Sequence, residues 1–121
     1  MRIKNQSLLA RLRFAWAGLL YGLRAEHSLR IQASVFLIVV AALIWLRPGT
    51  LWWALVLLAS GGVFSAELFN TTLEHLADHL HPEMHPQIRV VKDCAAAAVL
   101  VAAFGALAVG IALAIHLLRR G

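Results

Sequence analysis

The chain has 121 residues, of which 61% are hydrophobic and only 14% charged, and its mean hydropathy is +0.78. Soluble domains run near roughly 45–50% apolar and about 25% charged, so a chain this small cannot hide its apolar surface from water; a water-soluble domain is excluded and a bilayer is the solvent it fits. Eleven Lys and Arg against six Asp and Glu give a net charge of +5; most of these cations flank apolar runs, which points to anionic lipid and membrane topology and not to nucleic acid.

Residues 1–28 come first and differ in kind from the rest. Leu8, Leu9, Leu12, Trp16, Leu19, Leu20 and Leu23 recur at helical spacing, while Arg11, Arg13 and Arg24 fall off that face or on its flank. This predicts an amphipathic helix lying on the membrane surface. A cleavable signal peptide is the rival reading, but Arg11 and Arg13 interrupt its apolar core and no small-residue cleavage pattern follows.

Three apolar runs follow, over residues 29–46, 51–66 and 94–118. A hydrocarbon core about 30 Å thick needs roughly 20 helical residues. The third run is long enough as transmembrane helix 3, taken as 93–118, and the first nearly so as transmembrane helix 1, 29–46. The second reaches that length only if its helix continues through Glu67, Leu68, Phe69 and Asn70, giving transmembrane helix 2 over 51–70, extended to about 80. Arg47-Pro48-Gly49 is a tight break that makes the first two spans an antiparallel hairpin. Residues 81–92 read as a loop.

Arg2, Lys4, Arg11, Arg13, Arg24 and Arg30 precede the first span and only Arg47 lies in the first connection, so the N-terminus and the segment 67–93 are expected on the cytoplasmic side. Arg119 and Arg120 then run against the rule at the far end. The expected architecture is a single all-α integral membrane domain over 1–121.

In a composition this apolar every acid is informative. Glu67, Asn70, Glu74 and Asp78 are spaced 3, 4 and 4 apart, which places them on one helical stripe. A row of like charges is unfavourable without cations among them, and Mg²⁺ with phosphate is the guest that hard oxygens suit. A solvated helix face accounts for Glu74 and Asp78 equally well. Glu67 is different, because it follows Gly61, Gly62 and Ser65 at the end of an apolar span, where a carboxylate persists mainly if it does something. GxxxxGK[ST], GxGxxG and HRD-type loops are absent. Lys92 and Asp93 supply a further cation and carboxylate on the same side, enough for phosphoryl transfer by positioning and a base.

The run from Glu67 through Asn70, Glu74 and Asp78, then His85-Pro86, then Lys92-Asp93-Cys94 and four alanines, closely resembles the bacterial membrane diacylglycerol kinase and undecaprenol kinase family. The similarity extends upstream to Arg24-Ala25-Glu26 and Arg30 and covers essentially the whole chain. It implies a homotrimer of three-span subunits with composite sites between them, in the bacterial inner membrane, with the active site facing the cytoplasm. Carried over residue by residue, Glu67 is the general base for the lipid hydroxyl, with Asn70 beside it. Glu26 and Glu74 are the Mg²⁺ ligands that also meet ATP; Asp78, Lys92 and Asp93 belong to the nucleotide site, and Glu83 and His85 to a segment passing over ATP. Gln32 stands where many members carry an acid or a histidine, and Ser7 where an arginine often assists ATP. Diacylglycerol is the first expectation for the acceptor and undecaprenol the alternative.

Two other readings compete. His75 and His79 are four apart, with His81 and His85 nearby, so a transition-metal site is conceivable. An oligomeric transporter with Glu67 as its coupling carboxylate explains one buried acid, but not the gathering of Glu26, Glu74, Asp78, Lys92 and Asp93. Cys94, the single cysteine, excludes a disulfide framework and reads as a small packing residue.

Overall fold

A computed structural model of the chain describes residues 7–120, so residues 1–6 of the N-terminal segment, with Arg2 and Lys4, lie outside the described residues. The chain is all helical: α1 Leu8–Ala25, α2 His27–Leu46, α3 Thr50–Leu80 and α4 Pro86–Arg120. Of these, α2, α3 and α4 are long and apolar enough to cross a membrane. At 1.5 Å per residue, the 31 residues of α3 extend about 46 Å and the 35 of α4 about 52 Å. Both exceed a hydrocarbon core of about 30 Å, so each projects some ten residues or more beyond it.

Helix ends are set by identifiable residues. Ser7 caps α1, its hydroxyl accepting from the Ala10 amide at 3.2 Å. Within the described residues of the 1–28 segment, Glu26 is extended (φ −109°, ψ 119°) and separates α1 from α2. That break leaves the last carbonyls of α1 without helical partners. Arg30 fills the gap, one guanidinium nitrogen donating to Leu23 O at 3.1 Å and Arg24 O at 2.7 Å.

The α2–α3 turn is equally tight. Arg47 adopts the left-handed conformation (φ 49°), and Gly49 takes φ 116°, a region open to glycine and strained for any other residue. Here too an arginine from elsewhere in the chain closes the helix end, with Arg120 donating to Arg47 O at 3.0 Å and to Leu46 O. The arginines that contradict the charge rule at the end of α4 therefore include one with a local function, satisfying the end carbonyls of α2.

The loop expected over 81–92 spans only 81–85, because α4 begins at Pro86. Proline suits the first helical position, where its missing N–H costs nothing, and the His85 imidazole caps that end by accepting from the Gln87 amide at 3.1 Å. Lys92 and Asp93 consequently lie one to two turns inside α4.

α3 is the central element and packs against all three other helices, most extensively against α4. The core at the far end joins Leu43, Val56 and Leu113 from α2, α3 and α4, flanked by Trp52, Trp53 and Val109. It is thin. Trp45, Leu58, Val101 and Leu118 are all largely exposed, the inverse of a soluble protein and the expectation for helices solvated by lipid.

Candidate active site

α3 carries the site. Its apolar half ends at Glu67 and its polar half continues to Leu80 without interruption, so Glu67, Asn70, Glu74 and Asp78 share one face over about 16 Å of helix. Three contacts fix the neighbouring corner against this stretch. Tyr21 meets His75 edge-on, its hydroxyl 3.5 Å from Nδ1. Gly22 packs so closely that an added Cβ would lie 2.8 Å from Leu29 Cδ1 and 3.0 Å from Leu68 Cδ2. Ser28 Oγ donates to Glu67 Oε2 at 3.1 Å. The α1–α2 break, and with it the half-buried Glu26, therefore sits beside residues 67–75 of α3.

Glu67 is 6% exposed. A carboxylate that deep is costly unless hydrogen-bonded, and the Ser28 hydroxyl is its donor among the described residues. One turn on, Asn70 Nδ2 donates to Glu74 Oε1 at 3.0 Å, and Asn70 Oδ1 is buried without a hydrogen-bond partner among the described residues. Thr71, also buried, lines a pocket with Tyr21, Gly22 and His75. Asp78 pairs with Lys92 of α4 at 2.6 Å, which ties the polar ends of α3 and α4 together.

The remaining candidates are more dispersed. Glu83 is exposed in the 81–85 turn; Asp93 is exposed on α4; His85 is engaged in capping α4. Gln32 lines an apolar groove of about 280 Å³ between α2, α3 and α4, together with Phe36, Ser60 and Val109. His81 and His85 stack with ring centroids 6.2 Å apart, while His75 faces Tyr21. Among the described residues no three or more His, Cys, Asp or Glu side chains gather closely enough to hold a metal ion. The histidines of residues 75–85 therefore form no such group among the described residues.

Ser28, Tyr21 and the capping roles of Arg30 and Arg120 were not legible as site or fold residues in the sequence. Each acts across 6 to 74 positions, and a lone serine or tyrosine carries no spacing signal of its own.

A polytopic helical membrane protein with a buried carboxylate at the end of an apolar span, and a polar extension carrying acids and a lysine, is the class these features define. Residues 13–114 match the prokaryotic diacylglycerol kinase family, and the chain belongs to that family of lipid kinases. It is 36% identical over 105 residues to a diacylglycerol kinase of Synechocystis sp. (strain ATCC 27184 / PCC 6803 / Kazusa), covering 86% of this chain and 60% of that protein. It is 33% identical over 78 residues to an undecaprenol kinase of Bacillus subtilis (strain 168), covering 64% of this chain and 63% of that one. The chain thus matches 60% to 63% of the length of these curated relatives.

Proposed function

We propose that the protein is an ATP- and Mg²⁺-dependent lipid kinase that phosphorylates the hydroxyl of diacylglycerol, with Glu67 as general base. The observation that carries this reading is the buried, hydrogen-bonded Glu67 at the edge of an apolar span, in a chain of this family. Glu67 takes the proton of the lipid hydroxyl, the oxygen bonds to the γ-phosphorus, and ADP leaves as the bond to the β-phosphate oxygen breaks. A base for this step must sit near the headgroup plane, and Glu67 is the acid of the stripe nearest the apolar span.

Mg²⁺ fits the residues present. The buried Asn70 Oδ1, beside the Glu74 carboxylate, lacks a hydrogen-bond partner among the described residues, and proton-free hard oxygens are what this ion takes. Glu74 would hold it with Glu26, and the ion would supply neutralisation of charge on the phosphates. Asp78, Lys92 and Asp93 face the nucleotide, with Glu83 and His85 at its edge. In the ATP-bound state Lys92 exchanges its partner Asp78 for phosphate oxygens.

The assembly in this reading is a homotrimer in the inner membrane, with α1 on its cytoplasmic surface and sites shared between subunits. In support, a Cβ added at Gly61, Gly62, Gly105 or Gly110 meets nothing within 4 Å, leaving small-residue faces on α3 and α4 for a neighbouring copy. Exposed Leu8, Leu9, Leu12 and Trp16 on α1 suit an interfacial position.

Undecaprenol is the second acceptor reading, favoured by the similar identity to a kinase of that name. Transfer of labelled phosphate in mixed micelles, with the two alcohols offered separately and together, tests both. Diacylglycerol is expected to dominate the products; an excess of the undecaprenyl product moves the chain to the other branch, and no product from either overturns the kinase reading.

A further inference from the structure

Ser28 behaves unlike the other serines and threonines whose bonds are described. Ser7 caps α1, and Ser34 and Thr72 donate to carbonyls four residues back in their own helices, at 2.9 Å in both cases. Such local bonds are the ordinary habit of serine and threonine in helices. Ser28 makes none of these. It sits in the first turn of α2, directly after the Glu26 break, and reaches across 39 positions to the Glu67 carboxylate.

We infer that Ser28 is a positioning residue for Glu67: its hydroxyl holds Oε2 and thereby assigns Oε1 to the incoming lipid hydroxyl. This rests on the reading of Glu67 as the base. A glutamate side chain has three rotatable torsions, and an unanchored carboxylate at this depth would sample several of them. A single charge-assisted donor on one oxygen removes that freedom and also satisfies part of the charge that burial leaves unsolvated. Oε1 takes no donor among the described residues, which leaves it the oxygen free to accept from the lipid hydroxyl. Ser28 keeps its own proton throughout and touches neither the phosphate nor the acceptor.

Its place in the chain makes the arrangement specific. Ser28 follows the extended Glu26 by two residues, so the α1–α2 break sets the hydroxyl against Glu67 of α3.

The test compares Ser28→Thr, Ser28→Val and Ser28→Ala in the full chain in mixed micelles, measuring phosphate transfer to diacylglycerol and the Glu67 carboxylate infrared band, taken as the difference from Glu67→Gln. Threonine and valine have nearly the same shape and differ in the hydroxyl. Ser28→Thr is expected to keep kcat within about twofold, and Ser28→Val and Ser28→Ala to lose about tenfold or more in kcat with both KM values within twofold. The infrared band should shift in Ser28→Val and stay in Ser28→Thr. Ser28→Val turning over like Ser28→Thr, a loss confined to KM, or phosphate on Ser28 in the intact mass overturns the inference. Should the unaltered protein transfer nothing, the reading of Glu67 as base falls, and the infrared comparison still decides whether Ser28 holds that carboxylate.

Discussion

Two charged contacts of similar geometry have opposite consequences. Glu67 is 6% exposed, so its bond to Ser28 acts on a carboxylate largely withdrawn from solvent. Asp78 is 62% exposed, and its 2.6 Å contact with Lys92 is a surface pair that contributes little to stability. Lys92→Ala is therefore expected to leave the thermal midpoint in detergent unchanged while raising the KM for ATP several-fold; a drop in the midpoint with KM unmoved would make the pair structural. Glu74→Gln keeps the Asn70 contact possible but removes a charge, so the Mg²⁺ concentration for half-maximal rate should rise together with the loss of rate. Unchanged Mg²⁺ dependence in that variant would remove Glu74 from the ion's donors.

At the scale of elements, the corner between α1 and α2 is held by close approach and by donated guanidinium. Gly22 is buried against Leu29, which is fully buried, and Leu68. Gly22→Val is accordingly expected to lower the thermal midpoint and activity together, because Leu29 has no room to yield. Gly18→Ala serves as the contrast: nothing lies within 4 Å of the added carbon, so the midpoint should hold or rise with the better helix former. Equal behaviour of the two variants would contradict the packing described. Much of this organisation was legible in sequence. The 3, 4, 4 spacing from Glu67 to Asp78 carried α3 past its apolar end, and Arg47-Pro48-Gly49 announced the turn. The 81–92 loop was read too long because Pro82 and Pro86 both look like breakers, whereas Pro86 opens a helix. The boundary between the surface helix and the first span, expected after residue 28, falls at Glu26, and the Arg30 bonds to Leu23 and Arg24 show what stabilises it.

For the whole molecule, a single copy has a thin core and long exposed apolar faces, and its candidate residues run along α3 without converging on a metal-holding group among the described residues. The proposed trimer would cover those faces and share its sites between copies. If base and nucleotide contacts come from different copies, mixing inactive Glu67→Gln and inactive Asp93→Ala subunits should restore part of the activity; a mixture as inactive as either parent would place each site within one copy. The most direct measurement is Mg²⁺-dependent transfer of phosphate from labelled ATP to diacylglycerol by Glu67→Gln beside the unaltered protein, with oligomeric size recorded for both. Glutamine preserves shape and can still accept from Ser28, so the assembly should be unchanged and turnover should fall by about 10²- to 10⁴-fold, the contribution of a positioned base. Turnover within a few-fold of the unaltered protein, in an intact assembly, would show that Glu67 is a structural acid and that the proton goes elsewhere.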